Sequence, residues 1–102
     1  MANAVPEVAH NAAGARFELI AYGQTAHLDY QIDGDRIRFV HIEVPPSERG
    51  HHYSEALTRA GLEYARREQL GVVPICPFVR TFLSHHAEYL PLVDEHWKDQ
   101  LG

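Results

Sequence analysis

The chain contains little cysteine and little positive charge. Cys76 is the single cysteine among 102 residues, so no disulfide can close within the chain, and this indicates a reducing compartment. Lys and Arg together number 9 against 14 Asp and Glu, which gives a formal charge of −5 with neutral histidines. Because no basic run is present to neutralise phosphates, this balance argues against broad electrostatic binding of nucleic acid.

Long hydrophobic runs are also absent. No apolar stretch approaches the roughly 20 residues that cross a bilayer, and the first fifteen residues lack the basic and apolar regions of a signal peptide. We therefore expect a cytoplasmic protein without a membrane partner. The composition is otherwise ordinary for a globular protein, and the length suggests one domain.

Eight histidines raise the hypothesis of a metal site. They include the adjacent pairs His51-His52 and His85-His86, and adjacent residues of a helix or strand do not converge on one ion. The sequence contains no His-x-x-x-His motif and no cluster of Cys and His. We expect no metal site.

Hydrophobic periodicity predicts four strands within one domain. Residues 1–14 show no clear period and are predicted to be a flexible lead-in to a domain that spans residues 15–98. The strands are predicted at Ala15–Tyr22, Gln24–Ile32, Arg36–Val44 and Val72–Ile75. The third strand is apolar on both faces towards its end, which is typical of a sheet that is covered on both sides.

An amphipathic helix separates the third and fourth strands. It is predicted to begin at Ser47 or Gly50 and to end near Leu70, with Gly71 as its terminating residue. A strand, helix and strand in succession give two parallel strands, whereas short turns make the first three strands antiparallel. The sequence thus predicts an α/β fold in which an antiparallel strand meander feeds a βαβ unit and a closing helix, Phe78–His86.

The start of the amphipathic helix is a candidate anion site. A helix N-terminus leaves backbone N–H groups unpaired and carries the positive end of a dipole of roughly half a charge. Phosphate groups bind at such places. Arg49 and Gly50 lie at this point, where they are compatible with a phosphate cradle or with a plain helix cap and a solvated arginine.

Short motifs with specific spacing run through most of the chain. They are His41-Ile-Glu-Val-Pro45, Arg49-Gly50, Leu57, Glu63-Tyr-Ala-Arg66, Val73-Pro-Ile-Cys-Pro-Phe78-Val79 and His86-Ala-Glu-Tyr89 with Leu92-Val93. In this order and at these separations they resemble the small single-domain family of GNAT-like N-acetyltransferases. The resemblance extends from about Phe17 to Val93, and its most specific parts are the first motif and the motif around Cys76.

The resemblance implies the acyl-CoA N-acyltransferase fold, whose mixed sheet splays between the third strand and the strand after the helix. It implies an acetyl-CoA-dependent N-acetyltransferase that acts on an unknown amine, carried by a protein or a small molecule. Acetyl-CoA, the cosubstrate, would bind in the splay, with its pantetheine arm near Glu43 and Val44 and its pyrophosphate on the helix start. The implied binding residues are Val44, Arg49, Gly50, His51, His52, Tyr53, Ser54, Cys76 and Phe78. We expect a monomer or weak dimer.

One position departs from the family pattern. Relatives typically carry Arg-Gly-x-Gly-x-Gly/Ala in the pyrophosphate loop, and here His52 replaces the second glycine. Glycines at this place let the backbone approach the phosphates. The imidazole could turn outward, bind phosphate or block the site. The alternative function is therefore a CoA-binding or protein-interaction module with degenerate catalysis.

Cys76, His41 and Glu43 are the candidate catalytic residues. Cys76 could be a small buried hydrophobe, a wall of the cleft, or a nucleophile that forms an acetyl-cysteine. A helix that begins at Pro77 favours a thiolate, but burial opposes it by a larger amount. We therefore expect Cys76 to line the cleft, and His41 or Glu43 to deprotonate the amine for direct attack. His41 could instead be hydrogen-bonded into the sheet.

Overall fold

The computed structural model describes residues 7–98, which form a mixed five-stranded sheet with three helices. The strands are β1 (Ala9–Asn11), β2 (Arg16–Ala21), β3 (Gln24–Asp33), β4 (Arg36–Glu43) and β5 (Gly71–Pro74). The helices are α1 (Tyr53–Glu68), α2 (Pro77–His85) and α3 (Glu95–Lys98), and 3-10 turns span Pro46–Glu48 and Ala87–Leu92. Within this part of the chain, no helix is long and apolar enough to cross a membrane.

The strands follow each other in sequence order across the sheet. The first four are antiparallel neighbours, and β5 pairs with β4 in parallel after the crossover through α1. The turn between β2 and β3 consists of Tyr22 and Gly23, both with positive φ, as a two-residue hairpin turn requires. This topology confirms the predicted meander followed by a βαβ unit.

The prediction of a flexible lead-in is wrong for residues 9–11, because they form β1 and pair with β2. His10 holds this edge strand in place: its Nε2 lies 2.6 Å from the hydroxyl oxygen of Tyr30, and its ring stacks on Phe17 at 4.4 Å. These contacts join residues far apart in sequence, so periodicity within three residues cannot indicate them. Residues 1–6 lie outside the described part of the chain.

The contacts of His10 predict a pH-dependent stability. Burial, and secondly the charge of Arg67, lower the pKa of His10 below 6.5. The unfolded chain therefore binds the proton more readily, so the folded state loses stability as the pH falls below about 6.5. We expect the melting temperature to drop between pH 7.5 and pH 5.5, and to drop less in a His10→Gln variant. An equal drop in both proteins would contradict this assignment.

One face of the sheet carries the core, and the other face is polar. Buried residues of the core face are Phe17, Leu19, Leu28, Tyr30, Ile37 and Phe39, which pack with Leu57, Leu62 and Ala65 of α1. The opposite face carries Arg16, Glu18, His27, Asp29, His41 and Glu43, which form ion pairs and hydrogen bonds with one another. The prediction that both faces of the sheet are covered is therefore wrong for β2 to β4, whereas β5 is buried on both faces, at Val72 and Val73.

A bulge explains why the apolar pattern of β4 is misleading. The register between β3 and β4 shifts between Asp29 and Tyr30, so that Phe39 pairs with Tyr30 while Ile42 pairs with Leu28. The shift inserts one extra residue on β4, and it returns Ile42 to the core face. The alternation after Phe39 therefore does not indicate a second buried face.

Helix α1 begins and ends at different residues from those predicted. Gly50 has a φ of 92° and His52 a φ of 65°, and these left-handed conformations cannot continue a right-handed helix, so α1 starts at Tyr53. At the other end, Gln69 adopts the left-handed conformation, and its N–H bonds the carbonyls of the preceding turn. Gly71 is the first residue of β5 and does not terminate the helix.

Candidate active site

A cleft opens where β4 and β5 part. The last paired residues are Phe39 and Pro74, and one further bond joins the N–H of Cys76 to the carbonyl of Phe39 at 2.8 Å. Strand β4 continues to Glu43 without a β5 partner. The resulting cleft has a volume of about 530 Å³ and is lined by His41, Ile42, Val44, Glu48, Arg49, Gly50, His52, Tyr53, Ser54, Glu55, Cys76, Pro77 and Phe78.

Most of the predicted site residues meet in this cleft. They are His41, Val44, Arg49, Gly50, His52, Tyr53, Ser54, Cys76 and Phe78. Glu43 and His51 do not line it. Glu43 bonds His41 on the polar face of the sheet, and the ring of His51 stacks on that of Tyr53 at 5.5 Å. The roles of all these residues remain predictions.

The start of α1 offers free donors to the cleft. No side chain of the described residues caps this helix end, and the first N–H bonded within the helix is that of Ala56, to the carbonyl of His52 at 3.2 Å. The N–H groups of Tyr53, Ser54 and Glu55 therefore remain available to a ligand. A side chain built on Gly50 would meet no atom within 4 Å, so the approach to these groups is open.

The side chain of His52 pairs with Glu55 at an exposed part of the cleft. Its Nδ1 lies 3.0 Å from Oε1 of Glu55, and its side chain is 75% exposed. His52 and Glu55 both line the cleft, and the three orientations open from the sequence remain predictions. The backbone at His52 is nevertheless left-handed, with φ 65° and ψ 25°, which glycine adopts without a steric cost.

This conformation predicts that glycine at position 52 is better for the fold. We expect His52→Gly to raise the free energy of unfolding by roughly 0.5–1 kcal/mol, because relief of the left-handed strain exceeds the entropy cost of glycine. The matched control is His51→Gly, since His51 has no positive φ and should lose stability. Urea denaturation measures both variants. A less stable His52→Gly protein would show that the strain is absent.

Cys76 is a buried residue at the start of a helix. It is 4% exposed and occupies the N-cap of α2, and Pro77 takes the first helical position as predicted. Its carbonyl accepts the N–H of Arg80 at 3.1 Å. The thiol thus belongs to a rigid wall of the cleft, and its burial limits the access that a nucleophile needs.

His41 and Glu43 form a hydrogen-bonded pair. Nε2 of His41 donates to Oε1 of Glu43 at 3.0 Å, and both side chains are more than half exposed. The hydrogen bond from His41 is the main reason why the pKa of Glu43 is lowered. Glu43 is thus ionised and orients the imidazole. Its lowered pKa makes the carboxylate itself a weak base. In the neutral imidazole this bond leaves Nδ1 of His41 as the proton acceptor.

The sequence pattern did not indicate Glu48, the most buried charged residue of the cleft. Glu48 is 7% exposed and lies in the 3-10 turn that leads from β4 to α1. Glutamate is rarely buried, and its sequence neighbours, which include two prolines and an arginine, give no indication of burial.

Among residues 7–98, no group of three or more His, Cys, Asp or Glu side chains is arranged to hold a metal ion.

A mixed sheet that splays beside an uncapped helix start defines an acyl-CoA N-acyltransferase fold. Residues 16–92, more than half of the chain, match the protein family described as GCN5-related N-acetyl-transferase, and the chain belongs to this family. The match confirms the resemblance and the fold class predicted from the sequence. The family uses coenzyme A thioesters as acyl donors and amines as acceptors, as a general kind of chemistry.

Proposed function

We propose that the protein transfers the acetyl group of acetyl-CoA to an amine that enters the cleft between β4 and β5. The observation that carries this proposal is that one cleft is bordered by the free N–H groups at the start of α1 and by His41 and Cys76. A cytoplasmic location and a monomer or weak dimer remain predictions from the sequence.

The anionic part of acetyl-CoA would bind at the start of α1. The N–H groups of residues 53–55 are free, and the positive end of the α1 dipole favours the pyrophosphate. Arg49 contributes by anchoring the loop, because its Nε donates to the carbonyl of Val44 at 3.2 Å. The pantetheine arm would then extend along the unpaired end of β4, towards Val44.

The residues at the acetyl position suit a direct attack. Nδ1 of His41 accepts one proton from the amine, whose lone pair attacks the thioester carbonyl. The backbone N–H of Val44 donates to the oxyanion as the new C–N bond forms. The C–S bond then breaks, and the proton returns to the leaving thiolate. Glu43 keeps the imidazole in the required tautomer.

Binding of acetyl-CoA is the first test of the proposal. Millimolar acetyl-CoA should raise the melting temperature of the wild-type protein by mass action and shift the amide signals of residues 43–54. A Ser54→Glu variant places a carboxylate at the phosphate position and should weaken binding at least tenfold, although an acidic residue there stabilises the helix. Ser84→Glu, the matched control, adds the same charge on an exposed residue of α2.

Three results separate the candidate functions. Binding together with acetylation of an amine supports the proposal. Binding without transfer to any tested amine supports the alternative, a CoA-binding or protein-interaction module with degenerate catalysis. Unchanged melting curves and amide spectra would refute the cosubstrate assignment.

We expect Cys76→Ala to keep most of the activity. The thiol is buried and serves as a cleft wall, so its removal should lower kcat/KM by less than about fivefold, through a small packing defect. Mass spectrometry of the wild-type protein after incubation with acetyl-CoA should find no acetyl group on Cys76. A trapped acetyl-thioester on Cys76, with transfer lost in the alanine variant, would instead establish a covalent mechanism.

A further inference from the structure

Glu48 carries a carboxylate oxygen without a partner inside the cleft. Its side chain is more than nine-tenths buried and lines the cavity. Oε2 accepts the hydroxyl of Ser47 at 3.2 Å, whereas Oε1 is buried and has no hydrogen bond. Within residues 7–98, no salt bridge involves this carboxylate. A buried charge without a counter-charge is costly, so the geometry calls for a cationic donor.

The neighbouring residues do not supply that cation. Arg49 follows Glu48 directly, but its Nε donates to the carbonyl of Val44 on β4. His52, which also lines the cleft, pairs with Glu55. Arg49 and His52, two basic residues that line the cleft with Glu48, thus contact other groups, and the carboxylate of Glu48 remains for a ligand.

An aromatic ring lies on the same side of the cleft. Tyr53 is buried and lines the cavity together with Glu48. Burial raises the pKa of Tyr53, and the negative charge of Glu48 raises it further. A carboxylate next to an aromatic ring suits an alkylammonium group, because the ring attracts the cation and the carboxylate accepts its hydrogen bonds.

We propose that Glu48 binds the acceptor amine in its protonated form, with an ammonium N–H donated to its carboxylate. The role of this cation as the acceptor rests on the proposed function above. Acetyl-CoA is an unsuitable partner for Glu48, because its amide N–H groups are neutral and its phosphates are negative. Glu48 thus selects cationic amines over neutral acceptors of the same size. The bound ammonium first releases one proton to solvent, and the neutral amine that results attacks the thioester and passes its second proton to Nδ1 of His41.

The test uses n-butylammonium as the probe and n-butanol as its uncharged analogue. At pH 7, butylammonium should shift the backbone amide signals of Glu48 and Tyr53 in the wild-type protein, and butanol at equal concentration should not. Glu48→Gln keeps the shape of the side chain and removes its charge, and it should weaken butylammonium binding at least tenfold. Glu68→Gln makes the same charge change at the exposed far end of α1 and should bind as the wild type does.

Acetyl-CoA titrations keep this inference separate from the proposed function. Glu48→Gln should bind acetyl-CoA at least as tightly as the wild type, and its KM for the amine should rise at least tenfold. Equal binding of butylammonium to wild type and Glu48→Gln, or equal shifts with butanol, would overturn the inference even if acetyl transfer occurs. Charge-dependent butylammonium binding without any acetyl-CoA binding would support the cation site and refute the proposed function.

Discussion

Replacing His41 with glutamine is expected to reduce acetyl transfer about 100-fold or more. General-base catalysis contributes a factor of roughly 10²–10⁴, and His41 is the proton acceptor that both lines the cleft and has its tautomer held by a carboxylate. The side chain is more than half exposed, so the variant should fold as the wild type does. The loss should appear in kcat, while the KM for acetyl-CoA stays unchanged.

Three further variants test this result. Glu43→Gln should cost less, about tenfold, because Glu43 acts through the imidazole and does not line the cleft. In the double variant that carries both substitutions, the losses of activity should be non-additive, since the orienting bond has no function once His41 is absent. His85→Gln, at an exposed histidine of α2, is the control and should retain full activity. A His41→Gln protein with more than a third of the wild-type rate would exclude His41 as the base.

Gly61→Val is expected to destabilise the protein by about 3 kcal/mol, a large part of the roughly 5–15 kcal/mol that a domain has. A Cβ at Gly61 would lie 2.8 Å from Cε1 and 3.0 Å from Cζ of Phe39, and 3.2 Å from Cδ2 of Leu28. Both neighbours are fully buried between α1 and the sheet, so neither can move aside cheaply. Valine adds two methyl groups to this overlap.

Urea denaturation measures this effect against two controls. Glu68→Val introduces valine at an exposed position of the same helix, and it should cost less than about 1 kcal/mol through helix propensity. In a Phe39→Leu background the ring atoms that meet the new side chain are gone, so Gly61→Val should cost less there than in the wild type. Additive losses would show that the overlap with Phe39 is not the cause.

Glycine and proline predicted those elements of the fold that depend only on residues adjacent in sequence. Short turns were predicted to make the first three strands antiparallel, and β3 and β4 confirm this, with Gly34 between them at a φ of 64°. Pro77 was predicted to begin a helix after the fourth strand, and α2 begins there. Such signals succeed because a proline fixes its own φ and a glycine tolerates the positive φ of a tight turn, whatever surrounds them.

The start of α1 could not be predicted in the same way. Ser47 and Gly50 are ordinary helix-start residues, but the chain makes a 3-10 turn there and then two left-handed steps before Tyr53. A left-handed histidine is uncommon, and the residue types of the loop do not predict it. Because this loop sets where the helix donors lie, the position of the phosphate site is a tertiary property.

The order and spacing of the motifs by themselves predicted the family and the fold class, and the family match over residues 16–92 confirms both. The tertiary structure decided which side chains share the cleft. The bulge opposite Asp29 shifts the pairing of β4 by one residue, and a one-residue shift moves a side chain to the other face of a sheet. Ile42 therefore lies on the core face and His41 and Glu43 lie on the polar face, while Glu48 in the 3-10 turn is buried and lines the cleft. Burial of that kind depends on what packs around a residue, which no local pattern encodes.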